Sequence, residues 1–465
     1  MKRALPILLL VACRTEPAPP VEDVPEALLY AGPVLRHART SVGMPMAFCA
    51  AEDSDVGAVA LLLPRGTSHD GETPGAAVMA AAMLKRSGVS RMSSTGPVDG
   101  ETLANTLEAL GIELAVDAEA EHLLLRATGP SSQTARMVGT LCALGFHPWW
   151  TEQVMDAAMG ELADAAEERS RGSPWLVEEV LREELFKGHV LGRPAIPSLD
   201  SLAAVQLVDV ARWHAGALNP QHSLLILSGR EGDDVRRAAE TCRVADAAPP
   251  SVSVSAPIPR TSKGPLHIHV ELPETETSYI RIGSRAPVGG SAEANALGLV
   301  MEAMANGFSS RLVQRLRTER GLVYGVEGGV VGGRHAGMWS VSSSTARSNA
   351  REVSDIMEKE LDLLFAEGLP APTWKKFARA NALAFAYGRE AATELLSVEL
   401  DNFVLGLPPN GAWTTPQKLW RMDPQWAWRA VRPFFDPKQR VVVIAAHGDV
   451  MEDRPHQTRV AATWP

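Results

Sequence analysis

The sequence predicts two mixed helix-and-strand units of similar size, the second a copy of the first. Three observations carry this reading. From about Val34 onward, apolar runs of strand length alternate with longer runs of helical character. Residues 245–264 are rich in Pro, Ser and Ala, and Pro249, Pro250, Pro257 and Pro259 let neither helix nor central strand continue there. A helix closed by glycine and continued directly as a strand occurs twice, at Leu107 to Leu114 around Gly111 and at Leu316 to Val323 around Gly321.

The elements of the first unit follow in order. Residues 56–64 are a compact apolar run ended by Pro64-Arg65-Gly66, which reads as a buried strand. Thr73 and Pro74 open an alanine- and methionine-rich helix over 75–86, where Pro74 near the first turn costs little because its missing N–H has no helical partner. A helix at 101–110 precedes strands at 112–118 and 122–127, then a helix at 131–144. The long helix at 151–169 carries many acidic residues on its solvent side. Helices at 177–186 and 202–215 lead to a strand at 223–228. In the second unit a strand at 278–285 is followed by a small-residue helix at 292–305 and a helix at 309–320 ended by Gly321. Strands at 322–327 and 337–344, helices at 351–367 and 373–387, and a final strand at 440–446 complete it.

With 465 residues, 45% hydrophobic and 22% charged, the chain is too long for one small domain and too apolar to be disordered. Its net charge of −10 and its lack of a basic run that could follow a phosphate backbone exclude nucleic acid as the expected partner. The start is informative. Met1-Lys2-Arg3 is basic, Ala4 to Ala12 is apolar, and Leu10-Val11-Ala12-Cys13 resembles the bacterial lipobox, so residues 1–12 read as a lipoprotein signal peptide and Cys13 as the lipidated residue. That apolar stretch is shorter than the ~20 residues a bilayer span requires. Residues 13–33 read as an extended linker, 34–244 as the first domain and 265–465 as the second. The expected location is the bacterial envelope, facing the periplasm; Arg14, in place of the aspartate associated with inner-membrane retention, favours the outer membrane. Cys49, Cys142 and Cys242 are odd in number and form no CxxC pair, which argues against a disulfide framework and a thiolate zinc site.

Three segments resemble the insulinase-type (pitrilysin, M16) metallopeptidases, in particular the short processing-peptidase-like branch. They are Gly307-Phe308-Ser309-Ser310-Arg311-Leu312 followed by Leu316 to Tyr324, Leu185 to His189 with Gly192-Arg193-Pro194, and Trp213-His214 to Asn219-Pro220. The resemblance spans nearly all of the chain from Val34 to the C-terminus and implies an α+β class: two homologous domains, each an antiparallel-rich sheet backed by helices, closing in pairs around unfolded peptide.

The same resemblance exposes a departure. Active members carry HxxEH on the first domain's small-residue helix, with two histidines as zinc ligands and the glutamate as general base. Here Val78, Ala81 and Ala82 hold those positions, and none can bind a metal or take a proton. The family's third ligand, a glutamate on the long helix, should fall near Ala158 or Met159; Glu152 and Glu161 are displaced from it. No metal is therefore expected in this chain. The second domain keeps a matching pair, Arg317 and Tyr324, seven residues apart. In the family these face the zinc across the chamber and bind the substrate backbone. Three readings remain: a zinc-less subunit supplying Arg317 and Tyr324 to a zinc-bearing HxxEH partner, a structural or peptide-binding lipoprotein with no peptidase role, and a peptidase using displaced ligands.

Other features read plainly. His267 and His269 are expected to be exposed strand histidines on one face. The run 328–333, glycine-rich but without Lys-Ser/Thr, suits a hairpin or substrate-facing edge better than a nucleotide loop. Trp149, Trp150, Trp426 and Trp428 suit cores or a subunit contact. Glu178, Glu179, Glu183 and Glu184 read as a solvated helix face.

Overall fold

Each half of the chain builds a six-stranded sheet, and helices cover both faces. The computed structural model describes residues 24–25, 28–29 and 35–460, apart from 51–53, 91–95, 171–173, 195, 250–256, 258–263, 388–391 and 409. The segment read as a signal peptide, Cys13 and most of the segment read as a linker lie outside the described residues.

The first half runs β1 (Leu35–Arg39), β2 (Pro45–Ala50), β3 (Val56–Leu63), α1 (Ala76–Arg86), β4 (Gly88–Val89), α2 (Gly100–Ala109), β5 (Glu113–Ala118), β6 (Leu123–Pro130), α3 (Thr134–Phe146), β7 (Pro148–Trp149), α4 (Glu152–Ser170), α5 (Pro174–Leu185), α6 (Leu199–Ala204), α7 (Leu207–Ala215), β8 (Leu224–Gly229) and α8 (Asp233–Ala239). The second runs β9 (Leu266–Glu271), β10 (Thr277–Ala286), α9 (Ala292–Ala305), α10 (Arg311–Val313), a π-helical turn (Gln314–Thr318), β11 (Glu327–Gly332), β12 (Gly337–Ala346), α11 (Ala350–Glu367), α12 (Ala371–Tyr387), α13 (Ala392–Val404), α14 (Thr415–Trp420), α15 (Pro424–Val431), β13 (Val441–Ala446) and β14 (Gln457–Val460).

The sheet orders are β1-β2-β8-β3-β6-β5 and β11-β12-β10-β13-β9-β14. Read from opposite ends they are the same order, with β2 matching β9, β8 matching β13, β3 matching β10, and the edges β5 and β11 matching each other. In both, the last central strand slots beside the first and parallel to it, as in Met46↔Leu225 and Val441↔Leu266, while the remaining central pairs are antiparallel. The class is thus α+β with duplicated, antiparallel-rich sheets.

One face of each sheet carries a large core, with α1, α3, α4 and α7 in the first half and α9, α11, α12 and α15 in the second. The other faces are covered reciprocally. Leu176, Val177, Val180, Leu181 and Leu185 of α5 pack on Ile268, Val270, Val441 and Val443 of the second sheet. In return Leu396 and Leu400 of α13 pack on Ala58, Ala60, Leu62 and Ile226 of the first.

This exchange corrects one sequence expectation. The acidic run on α5 is not a solvated face: Glu179 and Glu184 are 7% and 5% exposed. The helix is pressed onto a sheet, so the glutamates beside its apolar stripe are covered and acquire counter-charges. Glu178 pairs with Arg281 at 3.2 Å and Arg182 at 3.2 Å, and Glu184 pairs with Arg459 and with Lys187 at 3.4 Å.

The cysteine reading is corrected as well. Cys142 on α3 and Cys242 just after α8 form a disulfide across 100 residues, leaving Cys49 as a buried thiol. An odd count leaves room for one pair, and so large a separation has no local spacing to reveal it. His269 is fully buried rather than exposed, its Nε2–H donating to the Glu271 carboxylate at 3.0 Å, while His267 meets Glu358 at 2.9 Å. Trp149 and Trp426 stay on the surface at 44% and 37% exposure. Residues 202–215 form two helices, α6 and α7, with Val205 and Gln206 between them.

Candidate functional site

The helix that would carry a zinc motif is α1. Its start is fixed by Asp70, whose carboxylate accepts from the Gly75 N–H at 2.8 Å and the Ala77 N–H at 3.0 Å. Gly75 itself has φ +100°, a left-handed conformation that a side chain would strain. Burial pushes the Asp70 carboxyl up to about 6, although those two N–H groups favour its charged form. Along α1, Val78 is half-buried, and Ala81 and Ala82 are 6% and 8% exposed within the apolar core.

On the facing helix α4, Ala158 is fully buried. Glu161 is held at the surface by Lys85 at 3.3 Å and by Arg86. These residues do not fit a zinc ion: the helix offers methyl and isopropyl groups, and the Glu161 carboxylate of α4 is committed to two cations. Among the described residues no group of three or more His, Cys, Asp and Glu is arranged to hold a metal.

The second half builds a different site. Leu312, Val313 and Leu316 bury one side of the segment after α9. Sequence reading expected an α-helix over 309–320; the structure has a single turn of α10 followed by a π turn, with the Glu319 N–H donating to the Gln314 carbonyl at 2.9 Å. The extra residue in that turn leaves Arg317 facing solvent while Leu316 stays inside; π turns are found disproportionately at functional positions. Gly321, at φ +63°, then reverses the chain and donates to the Arg317 carbonyl at 3.0 Å.

The strand expected at 322–327 is also displaced: β11 begins only at Glu327. Between them Val323 makes one isolated bridge to Thr345. Hydroxyls replace the ladder, with Thr345 donating to the Leu322 carbonyl and Ser343 to the Gly325 carbonyl, both at 2.7 Å. Val323 and Val326 point inward, and Tyr324 between them is 88% exposed.

Arg317 and Tyr324 therefore meet. The guanidinium carbon lies 5.3 Å from the Tyr324 ring centre and 5.6 Å from that of Phe308, itself 78% exposed. Its neighbours are spoken for: Arg311 pairs with Glu360, Arg315 with Glu319 at 2.8 Å and Glu360 at 3.4 Å, and Arg320 with Glu352 at 2.6 Å. The Arg317 guanidinium makes no hydrogen bond or ion pair with a described residue. An arginine steadied between two aromatic faces, with all its N–H groups unspent, is a donor set for a carbonyl or carboxylate.

Phe308 was not singled out from sequence as a site residue, nor was Lys376, whose ammonium donates to the Ser309 hydroxyl at 2.8 Å. The only signal for Phe308 was its place after Gly307. A cavity of about 390 Å³ lies at the seam of the halves, where the turn Glu119 to His122 approaches α5 and the β11–β12 turn, and Glu121 meets His335 at 3.6 Å. The run 328–333 contributes most of β11, the exposed edge of the second sheet, with Val331 63% exposed.

Residues 234–381 match the family profile described as "Peptidase M16 inactive domain". Among curated proteins, an uncharacterised zinc protease of Streptomyces coelicolor is 21% identical over 57% of this chain and 59% of its own length. One of Mycobacterium leprae is 24% identical over 40% and 42%. The chain thus spans well under two thirds of those relatives in alignment. Among solved structures, a peptidase M16 inactive domain from Pseudomonas fluorescens superposes with a TM-score of 0.77 at 17% identity, covering 91% of this chain and 99% of that one. The periplasmic protease PqqL of Escherichia coli superposes at 0.70 and 11% identity, covering 89% of this chain and 45% of that one. The duplicated sheets are the fold of M16-type structures over about nine-tenths of the chain, residues 234–381 match the M16 inactive-domain profile, and the curated relatives are zinc proteases; the chain resembles the M16 peptidases.

Proposed function

We propose that this chain is a non-catalytic M16 subunit that binds unfolded peptide and, paired with a partner chain bearing HxxEH, presents Arg317 and Tyr324 to the substrate. The observation that carries this reading is the unspent Arg317 guanidinium, held by Tyr324 and Phe308 while the other arginines of the segment are paired. A merely solvated helix residue would have no need of two aromatic supports. The zinc and the general base would come from the partner. In PqqL a chain like this one matches only 45% of the length, which leaves room for a second unit of similar size.

The Arg/Tyr pair would donate to the scissile carbonyl oxygen as charge develops there, the guanidinium through planar paired N–H groups and the phenol through one O–H. The test is turnover of an unfolded peptide by the co-expressed pair, taking as partner an HxxEH-bearing chain encoded beside this one. Tyr324→Phe and Arg317→Ala should each lower kcat more than they raise KM, by about 100–1000-fold for a lost oxyanion donor. If both variants assemble and turn over peptide at the wild-type rate, the chain is instead a structural or peptide-holding subunit.

The location belongs to the same proposal: a chain lipidated on Cys13, facing the periplasm and held at the outer membrane. The Cys142–Cys242 disulfide supports an oxidising compartment. Membrane fractionation of Cys13→Ala tests the anchor, since a variant still sedimenting with salt-washed membranes would place it elsewhere.

A further inference from the structure

The short helices that close the second half carry an unusual local charge. Between residues 418 and 438 stand Lys418, Arg421, Arg429, Arg432 and Lys438, all exposed, against Asp423 and Asp436, in a chain whose net charge is −10. Both carboxylates are spent as helix caps: Asp423 accepts from the Gln425 and Trp426 N–H groups, and Asp436 from that of Lys438. None of the five cations pairs with a carboxylate of the described residues; Arg429 and Arg432 donate only to the carbonyls of Gln425 and Phe365. The segment's inner side is apolar, with Leu419, Ala427, Val431 and Phe435 buried in one core, so its outer side is a cationic face with Trp426 at its middle.

The N-terminal end of the described chain arrives at the same half. Leu28 is buried in that core and Val24 packs against it. From Cys13 to Val24 is eleven residues, a reach of at most about 38 Å fully extended. A lipid on Cys13 would therefore tether the chain to a bilayer from this half.

We propose that the outer face of α14, α15 and the turn to Lys438 docks on an anionic lipid surface, setting the orientation of the anchored protein. Cations recognise the lipid phosphates, and an indole among them suits the headgroup layer. The orientation rests on the Cys13 anchor proposed above; the docking itself does not.

The test uses the chain from residue 13 with Cys13→Ser, which carries no lipid, sedimented with vesicles of phosphatidylglycerol and phosphatidylethanolamine or of phosphatidylcholine alone. Binding is expected to the anionic vesicles only, and should be lost between about 0.05 and 0.5 M salt. Lys418→Gln/Arg421→Gln/Arg429→Gln should bind about 100-fold more weakly, at about fivefold per cation. Arg136→Gln/Arg237→Gln/Arg243→Gln, exposed cations of the first half, should bind as wild type. Equal loss in both triple variants, equal binding to phosphatidylcholine, or no vesicle binding overturns the proposal, with urea midpoints confirming that each variant is folded. Because this protein is unlipidated, a negative result with Cys13→Ala leaving the membrane fraction in cells would refute the docking face and keep the anchor.

Discussion

Arg317 rests 5.3 Å above the Tyr324 ring, and both side chains look outward from a turn whose buried residues are Leu316, Val323 and Val326. The pair is thus carried by the fold without holding the fold together.

This separates stability from function in a measurable way. Tyr324→Phe should change the unfolding free energy by no more than about 0.5 kcal/mol, as exposed substitutions generally do. Arg317→Ala should cost about 0.5–1 kcal/mol, the worth of an exposed cation–π contact. Urea unfolding of both variants checks this; losses of several kcal/mol would mean that the pair is structural.

The disulfide makes the opposite claim, that a covalent link across 100 residues supports the first half. Cys142→Ala/Cys242→Ala should lose about 2–4 kcal/mol, the usual range for a link closing a long loop. Alkylation of the unfolded protein without reductant should label one cysteine among Cys49, Cys142 and Cys242, and three after reduction. Equal urea midpoints with and without reductant would show that the bond does no stabilising.

Acid should destabilise the first half through His214. Complete burial lowers its pKa to about 4, with the Gly145 carbonyl at 2.9 Å opposing the shift. Between about 6.5 and 4 the unfolded chain binds this proton and the folded one does not, so stability is fully present above pH 6.5 and is lost as pH falls to 4. The maximal loss is about 3 kcal/mol for this group. His122, also lowered to about 4 by burial, adds to it, while Asp70, raised to about 6, opposes it by binding a proton in the folded state. The difference between wild type and His214→Gln, followed by urea unfolding from pH 7 to 4, isolates the His214 share; parallel curves would sink the assignment.

Restoring the motif letters should not restore a metal centre. Val78→His/Ala81→Glu/Ala82→His places polar groups into a packed apolar surface with no distal carboxylate, because Glu161 is bound to Lys85 and Arg86. Elemental analysis should find no stoichiometric zinc in the wild-type chain or the triple variant, and the triple variant should unfold at lower urea. About one chelatable zinc per wild-type chain would contradict the reading of α1.

Much of this architecture is legible in sequence because it rests on local periodicity. The small-residue helix over 292–305 and the buried strand near 56–63 are given by composition and by their Gly, Pro and Ser boundaries. The duplication is signalled by the glycine turns Gly111 and Gly321 that precede the matching edge strands β5 and β11, although the helix and the immediate strand expected on either side of Gly321 are replaced by a π turn and an irregular segment. What escapes is set by distant partners. Nothing around Cys142 points to Cys242, and nothing in α5 says that a sheet from the other half will cover Glu179 and Glu184. The site shows the same divide: the spacing of Arg317 and Tyr324 is visible, but the π turn that faces Arg317 outward and the hydroxyls of Ser343 and Thr345 that replace a ladder are tertiary facts.

The reciprocal placement of α5 and α13 means that neither sheet owns its own lid. Each half synthesised alone would leave an apolar sheet face bare and would send out a helix with nothing to lie on. Chain order therefore matters less than completeness: a break introduced within 250–263 should yield two fragments that co-purify and melt together, and each should aggregate when made without the other. Neither half can be shed or exchanged piecemeal without uncovering a sheet face of the other.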